Sequence, residues 1–253
     1  GFQFQFEGGA GGGRQRQRQR QQRPTELFPK NESKVARLGK PKFPTDSSKH
    51  LWLVVFYTNQ SKACHQTAAT LEKLAEQQNL AYKIGAVDCG KSEREAAFCR
   101  EKGMEDVPQI VLVVDGELRP FDGNAATASA KTLHKFVQDN MPTHLVHNVN
   151  SVAQLKERLL SDTDAAVFLL SEKFETSSLY YNLAYHFRST FKFGESRAKN
   201  LKLAQHFQLK RYPVLVALVP TGYGKEKYSD EFDINRYSGE MKADAIIEWL
   251  DNV

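Results

Sequence analysis

Two uninterrupted apolar runs of strand length, Leu51–Tyr57 (LWLVVFY) and Val214–Pro220 (VLVALVP), constrain the fold of this 253-residue chain more than any other feature. A strand with one wet face alternates apolar and polar residues, whereas an unbroken run of Val, Leu and aromatics has both faces covered by helices. Both runs fall well short of the ~18 apolar residues of a membrane span. After the first run, Ala68, Leu71, Leu74 and Ala75 recur at helical spacing and predict a helix over about 62–78. Tyr82–Asp88 reads as a second core strand, and Glu93–Lys102 as a helix stopped by Gly103. Gln109–Val114 reads as a strand that turns at Asp115-Gly116 into Leu118–Phe121, and a helix over 127–140 buries Leu133, Phe136 and Val137. With a short strand at Lys34–Leu38 in front, the result is a mixed sheet with crossover helices.

The second half repeats this order. Strands are expected at Leu145–Val149, Ala165–Leu170, Lys192–Arg197, Val214–Val219 and Glu231–Tyr237. Helices are expected at Val152–Leu160, Leu179–Phe187, Leu201–Gln208 and Ala243–Leu250. The chain is therefore an α/β protein of two tandem domains, 33–142 and 143–253, duplicated in architecture and joined near Met141-Pro142-Thr143, where proline ends the preceding helix.

Ahead of them, residues 1–24 read GFQFQFEGGAGGGRQRQRQRQQRP. Glycines carry a large entropic cost of ordering and the arginines repel one another, so 1–32 reads as a flexible Gly/Phe- and Arg/Gln-rich linker. Five arginines (Arg14, Arg16, Arg18, Arg20, Arg23) against Glu7 place four of the net five positive charges in this tail. The rest is nearly neutral, which removes the electrostatic argument for a nucleic-acid-binding domain. RNA binding by the tail alone is the remaining alternative.

From Phe56 to His65 the chain reads FYTNQSKACH, which resembles the active-site segment of protein disulfide isomerase-family thioredoxin domains. Gly85–Cys89 (GAVDC) resembles that family's third strand. Val107-Pro108 and, in the second half, Tyr212-Pro213 resemble its cis-proline loop. The resemblance implies two thioredoxin-like domains, with client-binding loops at Val107, Pro108, Tyr212 and Pro213. It also implies a structural disulfide between Cys89 and Cys99, two free core thiols being the alternative.

The departures from the family pattern matter most. The attacking cysteine of the family's Cys-x-x-Cys pair is Ser61 here, its buried carboxylate is Val55, and the Trp beside the pair is Gln60. The degenerate site Ser61-Lys62-Ala63-Cys64 keeps only the resolving cysteine, and a serine hydroxyl does not attack a disulfide. The second half has no cysteine in Ser171–Ser178. Dithiol exchange is therefore not expected. The alternative is a single-cysteine oxidoreductase working through Cys64.

The tail's Phe-Gln-Phe-Gln-Phe and glycines are similar in composition to the Gly/Phe stretch that follows a J domain. The resemblance as a whole is to the C-terminal tandem thioredoxin-like region of an endoplasmic reticulum J-domain (Hsp40-type) co-chaperone. It implies unfolded or cysteine-containing clients, an Hsp70 engaged through a J domain outside this chain, the endoplasmic reticulum lumen, and no cofactor. Sequons at Asn31 and Asn59 agree with an oxidising, glycosylating compartment.

Other features read as structural. His144 and His147 lack a third ligand at metal-site spacing, so no metal is expected. Gly222-Tyr223-Gly224-Lys225 lies between two strands and reads as a hairpin turn rather than a phosphate loop. The aromatics Tyr180, Tyr181, Tyr185, Phe187, Phe191 and Phe193 read as core, with an exposed groove for extended clients as the alternative.

Overall fold

The computed structural model describes residues 26–77, 81–161, 165–208 and 211–253. The first domain holds a five-stranded sheet: β1 (Ala36–Leu38), β2 (Trp52–Tyr57), β3 (Lys83–Asp88), β4 (Gln109–Val114) and β5 (Glu117–Pro120). Their order is β1-β3-β2-β4-β5, with β1, β3 and β2 parallel and β4 and β5 antiparallel to their neighbours. The helices are α1 (Lys62–Ala75), α2 (Glu93–Glu101) and α3 (Ala130–Asp139).

The unbroken apolar run has the physical basis expected of it. Leu53, Val55 and Tyr57 of β2 point into one core, with α1 and α3, while Val54 and Phe56 point into the other, with Phe98 and Cys99 of α2. On β4, Ile110, Leu112 and Val114 divide from Val111 and Val113 in the same way.

The second domain repeats the plan with an added strand. β6 (Val146–Asn148), β7 (Ala166–Ser171), β8 (Lys192–Arg197), β9 (Val214–Pro220), β10 (Glu226–Lys227) and β11 (Phe232–Arg236) run in the order β10-β11-β9-β7-β8-β6. The helices are α4 (Val152–Leu155), α5 (Ser178–His186), α6 (Leu201–His206) and α7 (Ala243–Asp251). Strand order and helix placement make both domains thioredoxin-like. The correspondence extends to close packing: Gly85 pairs with Val54, the third residue of β2, and Gly194 pairs with Phe168, the third residue of β7. A Cβ would lie 2.3 Å from Leu38 Cδ1 at Gly85 and 2.5 Å from Leu159 Cδ1 at Gly194.

Several expectations change. The helix expected over Val152–Leu160 is α-helical only through Leu155 and continues as one π-helical turn, Lys156–Leu160. α3 starts at Ala130 rather than 127 because Ser129 caps it, its side chain accepting from the Thr132 amide. The linker expected over 1–32 ends earlier than Glu32, because Phe28 is 1% exposed in the first core and packs edge-on to Tyr57 at 5.0 Å. The reading of residues 1–25, RNA binding included, lies outside the described residues.

The Gly222–Lys225 segment is a turn closed from within. Asp233 Oδ2 accepts from the amides of Gly222 at 2.7 Å and Gly224 at 3.2 Å, which occupies the donors an anion would need. Of the aromatics, Tyr180, Tyr185, Phe187 and Phe193 are buried and Tyr181 and Phe191 half-buried against core clusters, which leaves no exposed groove among them.

Tyr185 marks the seam between domains, because it is buried in the core of the first. Its hydroxyl accepts from the Asp115 amide at 2.9 Å. Arg188 lies 4.1 Å from the Tyr185 ring, pairs with Asp115 at 3.1 Å and donates to the Asp46 carbonyl at 2.7 Å. Gln138 Nε2 donates to Ser178 Oγ at 2.9 Å. His50 and His186 stack edge-on across the same seam with ring centroids 5.1 Å apart.

Candidate functional site

Ser61 is the N-cap of α1. It is extended, and its Oγ accepts from the Cys64 amide at 3.4 Å. Four amides at a helix start lack an intrahelical partner, and a serine oxygen satisfies one of them. The residue standing where the family has its attacking sulfur is therefore a helix-capping hydroxyl. Lys62 is exposed and Ala63 half-buried, while Cys64 is 1% exposed in the first core. Cys64 Sγ accepts from the Thr58 amide at 3.5 Å. His65, the next residue, turns away: its Nε2 is 2.9 Å from the Asn59 carbonyl and its side chain is exposed. Val55, where the family carboxylate would be, is buried among apolar side chains.

A carboxylate does lie close by. Asp88, at the end of β3, pairs in register with Tyr57. Burial raises its pKa, and hydrogen bonds from the Gly90 amide and Asn59 oppose that rise. Burial, with Asp88 nearby, also pushes the Tyr57 hydroxyl above its usual range. Asn59 joins three segments: its Nδ2 donates to Asp88 Oδ2 at 2.8 Å and its Oδ1 accepts from the Leu27 amide at 3.0 Å. The atom a glycan would modify at the Asn59 sequon is thus already engaged, whereas Asn31 is exposed in a turn before β1.

Strand register sets the proline loops beside these helix starts. Phe56 near the end of β2 pairs with Gln109 at the start of β4, so Val107-Pro108 and Thr58–Ser61 share one end of the first sheet. Leu170 of β7 pairs with Val214 of β9, which places Tyr212-Pro213 beside the Ser171–Ser178 segment in the second. Both Val107-Pro108 and Tyr212-Pro213 are cis peptides. Among the described residues, the backbone N–H and C=O of Val107 and of Tyr212 have no protein hydrogen-bond partner. Pro213 is exposed and Val107 half-buried; the Tyr212 hydroxyl donates to the Ala198 carbonyl at 3.4 Å.

The second domain's counterpart of Ser61 is Ser177. It caps α5 and accepts from the Tyr180 amide at 3.3 Å. Tyr180 stands where the first domain has Cys64. Its buried hydroxyl donates to the Gly194 carbonyl at 2.7 Å with the Val167 carbonyl 3.3 Å away, and burial holds its pKa well above the usual value. Sequence reading missed a polar cluster beside it. Glu195, 3% exposed, accepts from Thr176 and from both terminal nitrogens of Arg197, each at 3.2 Å. The signal available was an acid and an arginine two apart on one strand, hence on one face.

Cys89 and Cys99 form a disulfide with Cα atoms 5.9 Å apart, tying the residue after β3 to α2. Since the sequence holds three cysteines, Cys64 is the free one, and it is buried. Among the described residues no three His, Cys, Asp or Glu side chains converge as metal ligands, and no helix is long and apolar enough to cross a membrane.

Residues 35–139 match the Thioredoxin family. A putative protein disulfide-isomerase of Dictyostelium discoideum is 25% identical over 228 residues, covering 87% of this chain and 53% of the relative. A mitochondrial thioredoxin domain-containing protein of Schizosaccharomyces pombe is 25% identical over 206 residues, 78% of this chain and 53% of the relative. The DnaJ protein ERDJ3A of Oryza sativa subsp. japonica is 23% identical over 174 residues, 65% of this chain and 29% of that protein. The chain spans about half the length of the first two relatives. Among solved structures, ERdj5 form II aligns at a TM-score of 0.47 and 14% identity, over 87% of this chain and 30% of that one.

Proposed function

We propose that this chain, a thioredoxin-like and protein disulfide isomerase-like protein of two thioredoxin-like domains, is a redox-inactive module that holds unfolded or cysteine-containing clients. Its setting in this reading is a J-domain co-chaperone assisting folding or quality control in the endoplasmic reticulum lumen, with Hsp70 engaged from outside this chain. The observation that carries the reading is the pairing of two features at one sheet end. A capping hydroxyl, Ser61, occupies the helix start with the free sulfur buried behind it, and an adjacent cis-proline loop has backbone groups without partners. The first feature leaves no exposed thiolate to attack a disulfide. The second offers hydrogen-bonding groups to which an extended peptide can add as a strand. The partial likeness to a DnaJ protein supports the co-chaperone setting, and the Cys89–Cys99 disulfide supports an oxidising compartment.

The test is an amide NMR titration of the whole chain with a reduced, unfolded peptide. Resonances of Val107, Gln109, Tyr212 and Val214 shift if the proline loops bind; unchanged resonances at both loops overturn the reading. An insulin-reduction assay separates it from the single-cysteine alternative. Turnover that Cys64→Ser abolishes would establish an oxidoreductase, and the expected rate is that of buffer.

A further inference from the structure

We propose that the open side of β1 is a second docking site, specific for an acidic extended peptide and independent of the proline loops. β1 is the edge strand of the first sheet, hydrogen-bonded to β3 on one side only. An edge strand presents backbone donors and acceptors to an incoming chain. An open groove of about 690 Å³ lies against it, lined by Ala36, Arg37 and Leu38 of β1 and reaching Ala86 and Asp88 of β3.

The charge lining this groove is lopsided. Lys30, Lys34, Lys42 and Lys91 line it and are exposed, and none of them has an ion pair among the described residues. The fifth cation, Arg37, pairs with Glu26 at 2.5 Å. Opposing them are Asp88, hydrogen-bonded to Asn59 and the Gly90 amide, and Glu95. Outside the tail the chain is nearly neutral, so four unpaired lysines around one groove form a local field rather than part of a general surplus.

The open edge points to a peptide rather than a small anion, because β1 pairs with β3 alone. Glu95 faces inward there: its Oε2 is buried, and a Cβ on Gly39, the residue after β1, would approach it to 3.2 Å. An inorganic anion would leave the outward backbone groups of β1 unpaired. An added strand pairs its backbone with the open side of β1, while its acidic side chains reach the lysines. Lysines beside an edge strand also guard against aggregation, and in that role they would recruit no ligand.

The experiment titrates the intact chain with a fluorescent Glu-rich decapeptide, a Gln-rich decapeptide of equal length, and inorganic phosphate. The expected results are saturable binding of the Glu peptide alone, shifts of the Ala36–Gly39 amides with hydrogen-exchange protection in β1, and affinity that falls with salt. Lys34→Glu with Lys91→Glu should weaken binding at least tenfold, and Lys34→Gln with Lys91→Gln gives the same direction should the charge reversal impair folding. Equal binding of phosphate without protection of β1, or no binding of the Glu peptide, overturns the proposal. Neither result bears on Val107 or Tyr212, so failure here is distinct from failure of the proline loops.

Discussion

α1 and α5 occupy equivalent places in the two domains and are capped by the same chemistry, yet they are buried differently. α1 covers its sheet with one stripe, Cys64, Thr67, Ala68, Leu71 and Leu74. α5 buries Tyr180, Asn182, Leu183, Ala184, Tyr185 and His186, which lie all around its axis. The cause is position. α1 lies on its own sheet beside α3 and otherwise faces solvent, whereas α5 is held between its own sheet and the first domain through Tyr185, Arg188 and Gln138. A helix buried on every side reads as apolar throughout. Two of the aromatics here, Tyr181 and Tyr185, are therefore a consequence of domain contact, while Tyr180, Phe187, Phe191 and Phe193 fill the second domain's own core.

The third residue of each helix shows what the duplication conserved and what it released. Ser61 and Ser177 both cap, so the backbone requirement at the helix start is met identically. Behind the cap, one domain places a thiol against the Thr58 amide and the other a phenol against two strand carbonyls. The pocket behind the cap thus acts in both domains as a packing site, filled by whatever side chain satisfies its polar neighbours.

The largest effect that could break this comparison is at that residue. Tyr180→Ala removes a fully buried ring and its hydrogen bond and should destabilise the second domain by about 4 kcal/mol. Cys64→Ala should cost the first domain only about 1 kcal/mol. Equal losses in urea unfolding would show that the two sites are not equivalent plugs. Next, the first domain alone is stapled. Cys89→Ser with Cys99→Ser should cost about 3 kcal/mol in the loop-entropy account, and reductant should lower the melting temperature of that domain only.

The seam provides a pH test. Burial, helped by Lys83, His186 and Lys49 and opposed by Asp244, lowers the His50 pKa to about 4. Burial, with Lys49, Lys83 and Arg188 against Asp251, lowers that of His186 as well. A histidine held neutral contributes its stability in full above its unfolded pKa of roughly 6.5. That contribution is lost as pH falls toward the folded value. Unfolding free energy should therefore drop by about 1 kcal/mol between pH 7 and pH 5, allowing for screening at the half-buried His50. His50→Gln should flatten the decline. The smallest effect is at the caps: Ser61→Ala and Ser177→Ala should each cost about 1 kcal/mol, and a much larger loss at Ser61 would reveal a role beyond capping.

Much of this was legible in sequence for a definite reason. The two-faced strands were readable because periodicity is local: Val54 and Val55 alternate between cores whatever lies far along the chain. The capping serines were less so, since Ser61 draws attention as a missing sulfur before it is recognised as a cap. Asn59 reads as a sequon, and nothing local indicates that Asp88 and the Leu27 amide hold it. Phe28 looked like linker because residues 24–33 lack periodicity, although its partner Tyr57 lies well beyond that window.

By itself, then, the amino-acid order determined the α/β duplication, the placing of the proline loops before central strands, and the loss of sulfur at position 61. These follow from residue type and short-range spacing, which dictate backbone preference and chemistry directly. Tertiary structure alone decided that Cys64 lies sealed, that α5 is clasped by the neighbouring domain, and that four lysines gather around one groove beside β1. Each depends on groups far apart in the chain, such as Asp115 and Tyr185, and such meetings are set by how the sheets and helices pack rather than by any local pattern.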